Sequence, residues 1–162
     1  MKKTRQKGDA RGQGLVEFAL ILPFLLMLML GIMAVGHLYF TYVVNTASSR
    51  EAARYGVASG LSENGVVRYK DCDAIRAAAM RVGAVIGVED SEITVEYDDG
   101  PGTTVIGTCP SGGTGPDLIL GQRVVVTVSI QYDPFFPLVN IPSLPMSSFS
   151  GRTIMTGLNV EL

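Results

Sequence analysis

At 162 residues, 47% of them hydrophobic and 17% charged, the chain has length for one domain plus a long helix and is apolar for a soluble domain. Its net charge of −2 is uneven: in residues 1–12, Lys2, Lys3, Arg5, Lys7 and Arg11 stand against Asp9 alone, giving +4 and leaving −6 elsewhere. With no basic patch outside that head, a nucleic-acid-binding domain is excluded, and the head suits a segment that faces the cytoplasm.

The first predicted element is a long helix. From Phe18 to Val35 run 18 residues without a charge or a strongly polar side chain, and Gly36 to Phe40 extend the run to 23. That is roughly 34 Å of helix against a hydrocarbon core of roughly 30 Å. Basic residues before it and Tyr39, Phe40 and Tyr42 after it fit a single crossing with the N-terminus inside. A cleaved secretory signal competes, because Ala34-Val35-Gly36 looks like a cleavage site, but such apolar regions span only about 7–15 residues. An uncut anchor competes as well. Neither accounts for Glu17 at the mouth of the run, where a carboxylate entering lipid needs a partner. Pro23 removes a backbone bond inside the helix and tends to kink it. It reads either as an ordinary kinked anchor or as a place where the helix bends or melts. His37, the only histidine, reads as an interfacial residue.

The helix is predicted to continue through Thr41–Ala58 and to stop at Gly60 and "SENG". Small residues Ala47, Ser48, Ala52 and Ala53 would let it approach the rest of the domain closely. Arg50 and Arg54 share a face that is either solvated or a contact with another subunit. Asp71 and Asp73 suit the cap of a second helix, in which Ile75, Ala78, Ala79, Val82 and Ile86 hold helical spacing. Three stretches alternate with period two: "EITVEY" with Ile93, Val95 and Tyr97 on one face, "QRVVVTVSIQY" with Val124 to Tyr132, and "RTIMTGLNVEL" with Ile154 to Leu162. The fold class is therefore α+β, with a three-stranded antiparallel sheet packed on the two helices.

Of the two long connections, residues 98–121 are rich in Gly, Pro, Ser and Thr and read as exposed loop. Residues 133–151 hold Phe135, Phe136, Leu138 and Val139 among prolines, an apolar loop for packing, membrane or a partner subunit. Cys72 and Cys109 are the only cysteines and, outside the cytoplasm, read as a disulfide. No nucleophile motif, phosphate loop or metal-ligand spacing is present, so neither enzyme activity nor a cofactor or metal is expected.

Gly12-Gln13-Gly14-Leu15-Val16-Glu17-Phe18 resembles the processing site of type IV pilin precursors: a basic leader ending in glycine, then a glutamate five residues on. More narrowly, Gly12, Val16 to Leu20, Pro23, Gly31 and the segment Arg50-Glu51-Ala52-Ala53-Arg54 resemble the TadE-like family, pseudopilins of the Tad (Flp) tight-adherence pilus. The resemblance implies a minor pilin or priming subunit, cut between Gly12 and Gln13 by a prepilin peptidase. The new α-amine would be matched by the Glu17 carboxylate beside Phe18, in the first turn of a helix. It implies a leader 1–12, a helix 13–59 with its membrane part at about 15–40, and an extracytoplasmic domain 60–162. Its partners would be other pilin subunits and the assembly platform, in the cytoplasmic membrane or in an extracellular pilus. An uncut surface domain for adhesion or partner binding, or a pseudopilin of a related secretion apparatus, are the competing readings.

Overall fold

The computed structural model describes residues 10–134 and 142–155. Its first element, α1 (Ala10–Gly56), runs without interruption through Pro23. The chain divides into two compact units, Met1–His37 and Leu38–Leu162. In the first, none of residues 13–37 is buried; Leu15, Phe18, Phe24, Met27 and Ile32 are each more than 60% exposed. An apolar helix bare on every side needs a nonaqueous surrounding. It is the one candidate span among the described residues, with a mean hydropathy of 2.7.

In the second unit, α1 buries one stripe: Thr41, Asn45, Ser48, Ser49, Ala52, Ala53 and Gly56. Spacings of three and four keep these on a single face. None is large and apolar, so the backbone comes close to the sheet, which supplies the bulk. At Gly56 a Cβ would sit 3.1 Å from Val124 Cγ1 and 3.3 Å from Ile75 Cδ1, and the helix ends there rather than at Gly60 as predicted. Helix α2 (Cys72–Gly83) starts where the Asp71 carboxylate accepts the Ala74 N–H at 3.0 Å. Its Ile75, Ala78 and Ala79 are buried as expected and Val82 is half-buried, but the helix ends at Gly83, so Ile86, predicted to belong to it, lies in the 3-10 turn Ala84–Ile86 that follows.

The described sheet has four strands, not three, in the order β2-β1-β3-β4: β1 (Ile93–Asp98), β2 (Val105–Thr108), β3 (Arg123–Tyr132) and β4 (Leu144–Thr153), with every neighbouring pair antiparallel. The inward faces of β1 and β3 are those the alternation predicts. Ile93, Val95 and Tyr97, and Val124 through Tyr132 at every second place, are buried.

Two expectations are corrected. Part of the Gly/Pro-rich loop forms β2, a four-residue edge strand with no buried residue and so no alternation to betray it. The last strand among the described residues does not begin at Arg152, and residues 156–162 of the predicted one lie outside them. The observed strand is β4, drawn largely from the stretch read as an apolar loop, and only Arg152 and Thr153 of the predicted strand belong to it. Its inward positions are Met146, Ser148 and Ser150, polar in two cases of three because they meet the polar stripe of α1. Ile154 is buried just past the strand, whereas the expected Leu158, Val160 and Leu162 lie outside the described residues.

Candidate functional site

Near the start of α1, Gln13 Nε2 donates to Glu17 Oε1 at 3.3 Å, four residues and about one turn apart. Both side chains are exposed. Gly12 and Gln13 lie within the helix, not in extended chain. Because α1 begins at Ala10, its first turn holds no acid and Glu17 stands two turns in. The interaction of Glu17 with the macrodipole is expected for a helix that begins at Gln13; in this longer helix Glu17 lies beyond the first turn, within which that field fades. Glycines at 12 and 14 make this opening turn poor helix, each costing about 1 kcal/mol relative to alanine. Phe18 follows Glu17 on the exposed surface, and Pro23 sits in the unbroken run above it.

In the second unit, polar side chains seat α1 on its neighbours. Asn45 Nδ2 reaches the carbonyls of Val128 at 3.3 Å and Met146 at 3.5 Å. Ser48 Oγ donates to Ala79 O of α2 at 2.8 Å, and Ser49 Oγ shares a hydrogen bond with Ser148 Oγ of β4 at 3.0 Å. Asn45 Oδ1 has no partner among the described residues. Ala47, predicted to help the close approach, is instead exposed one position off this stripe.

On the outward side of α1, Arg54 grips Glu51 through Nε and Nη2, both at 2.9 Å, and Arg81 of α2 comes within 3.9 Å of the same carboxylate. The Arg54 hydrogen bonds hold the Glu51 pKa below the usual carboxylate range, aided by the charges of Arg54, Arg81 and Arg152. A hollow of about 440 Å³ runs along this side, bounded by Tyr42, Ala47, Arg50, Glu51, Arg54 and, from β4, Arg152. The structure thus brings Arg50 and Arg54 together on one surface and adds Arg152, which sequence spacing could not reveal. Phe135 and Phe136, the other residues expected in a subunit contact, lie outside the described residues.

Cys72 and Cys109 are joined, with 5.3 Å between their Cα atoms. The bond ties the start of α2 to the end of β2, and Tyr97 packs beside it with its hydroxyl donating to Tyr69 O at 2.5 Å. Burial pushes the Tyr97 pKa well above that of a free phenol, so the group remains a donor. Sequence reasoning missed Arg76, which is 8% exposed and donates to the carbonyls of Ile93 (2.5 Å), Cys109 (3.0 Å) and Asp90 (3.1 Å). Its signal was a lone arginine on the apolar side of α2, next to Ile75. Among the described residues no group of three or more His, Cys, Asp and Glu is placed to hold a metal.

These features define an α+β protein with, among the described residues, one helix apolar and long enough to cross a membrane. Residues 12–54 match the family model described as TadE, TadE-like protein, and the likeness is carried by α1 from Gly12 to Arg54. The match spans 43 of the 162 residues. No curated protein and no solved structure matches the chain.

Proposed function

We propose that the chain is a minor pseudopilin, a structural or priming subunit in the assembly of a Tad-type pilus, cut by a prepilin peptidase between Gly12 and Gln13. Residues 1–12 are then the leader and remain cytoplasmic. Residues 13–59 form the helix that crosses the cytoplasmic membrane at about 15–40, and residues 60–162 fold outside. The observation that carries this reading is the pairing of Gln13 with Glu17 on one helix face, at the foot of a bare apolar run. A cut before Gln13 puts an α-ammonium one turn from that carboxylate, and it makes Glu17 a near-terminal acid in the field of a new helix N-terminus. The glycine-weakened opening turn suits a segment that must unwind to enter a peptidase cleft. The chain's partners are the peptidase, other pilin subunits and the assembly platform.

A second reading, an uncut surface anchor for adhesion or partner binding, draws support from the helical state of Gly12 and Gln13, which presents no extended substrate. Mass spectrometry of the membrane-bound chain separates the two. A mature N-terminus at Gln13, lost when Gly12 is replaced by valine, supports the subunit. Retention of the basic leader in wild-type cells rejects it.

A further inference from the structure

The second unit carries two hollows of opposite charge on different flanks of the same helix. The first, already described, has Arg50, Arg54 and Arg152 against Glu51 alone. Arg50 and Arg152 make no ion pair within 4 Å among the described residues; Arg152 acts on Glu51 through its charge alone, and Arg50 is left to meet a partner. The other hollow, of about 420 Å³, is bounded by Tyr55 of α1 and the outer side of α2, with exposed Glu63 and Asp73, and the buried helix cap Asp71 beneath them, against Arg81. Each holds three charges of one sign and one of the other, and the signs are opposite. Arg50 and Tyr55 are about 140° apart around α1, with the buried stripe between them on the remaining arc. One hollow opens beside β4 and the other beside α2, and within a molecule Glu51 of the first meets Arg81 of the second at 3.9 Å, which leaves the remaining charges of each lining to a partner.

The geometry points to a head-to-tail contact between copies of this chain, in which the arginine hollow of one molecule takes the acidic hollow of the next. The inference rests on the subunit reading above and names its partner as a second copy. Because donor and acceptor surfaces are different patches, the contact is heterologous. It leaves an unused hollow at each end of a pair and can continue along a filament. Small Ala47 in the basic hollow, and Ala74, Ala77 and Ala78 in the acidic one, leave room for the charged side chains between the two backbones. Complementary charge of this kind fixes register and orientation more than it adds affinity.

The test uses the full-length chain in native membranes, as two differently tagged copies. One carries Ala47→Cys and the other Ala77→Cys, both at exposed positions. A thiol cross-linker is expected to give mixed-tag dimers from this pair and none from Ala47→Cys with itself or from Ala77→Cys with itself. Reversing the basic side with R50E and R152E lowers the mixed-tag yield about tenfold, and E63K with D73K on the other copy restores it. Equal bridging of like positions, which marks a two-fold contact, overturns the proposal. So does a mixed-tag yield indifferent to the charge reversals. A third overturning outcome is protection of Ala47→Cys by anionic lipid, lost when the lipid is made zwitterionic. An intact Cys72–Cys109 bond, read by mass in every variant, certifies the fold. The N-terminal mass is read in the same cells, so a correctly cut chain without mixed-tag dimers rejects this contact while leaving the subunit reading in place.

Discussion

Asp98 and Arg123 face each other across β1 and β3 as register partners, and their side chains meet in two hydrogen bonds of 2.7 Å each. Both are largely withdrawn from water, at 14% and 20% exposure. The Arg123 hydrogen bonds hold the Asp98 pKa below its ordinary value, against the opposing effect of burial. A carboxylate depressed by folding stabilises fully above its unfolded pKa of about 3.9, and that contribution is lost as pH falls through the lower folded value. Asp98→Asn is expected to cost about 1–2 kcal/mol at pH 7. Denaturant midpoints measured from pH 7 down to pH 2 should show wild type and variant converging only at the acid end. A gap that persists below the folded pKa would refute the assignment.

Arg76 is a charged group held by three backbone carbonyls on two segments, those of Asp90 and Ile93 at the start of β1 and that of Cys109 after β2. Arg76→Met leaves those acceptors unpaired and is expected to destabilise by about 2–4 kcal/mol. Arg76→Lys recovers little, because one ammonium cannot span the planar fork that reaches Ile93 and Cys109 together. Amide exchange at Ile93 and Cys109 would check both variants.

Replacing both Cys72 and Cys109 by serine opens a loop of 37 residues' separation. The chain-entropy model puts the loss at about 3–4 kcal/mol. Protection should fall first in β2, whose other tie is a short pairing to β1 that slips register between Tyr97 and Asp98.

The buried stripe of α1 tolerates no bulk. Ala52→Leu, at a fully buried site, is expected to cost about 1–3 kcal/mol by overpacking, while Ala47→Leu on the exposed side changes stability little. Thermal unfolding of the two variants side by side tests the assignment of faces.

Glu17→Gln should leave cleavage intact and reduce incorporation into filaments by about tenfold, an interaction of about 1.4 kcal/mol at the membrane edge. Sheared filaments analysed for this chain would decide it. Undiminished incorporation would remove the proposed counter-charge.

Where burial was apolar and regular, the sequence announced the structure. The bare run of α1 and the alternations of β1 and β3 needed only their periods to be read. Where burial was polar, it did not. The alternation of β4 is carried by Met146, Ser148 and Ser150, a pattern without meaning until Asn45 and Ser49 are known to lie opposite. Strand β2 is held by the backbone of β1 and the nearby disulfide rather than by side chains of its own. The basic hollow joins residues 50 and 152, more than 100 positions apart in a chain where nothing marks Arg152 as special. The resemblance of Gly12 to Phe18 to a processing site was legible as chemistry, but not the helical state of that stretch.

The polar seat of α1 also has a mechanical meaning. A helix lying on its sheet by oil alone could creep lengthwise, trading one apolar neighbour for the next. Here Asn45, Ser48 and Ser49 hook onto three different elements, so a slide by one turn, about 5.4 Å, must unhook all three together. Load drawn along the axis meets a latch in shear, and the joint yields abruptly instead of stretching.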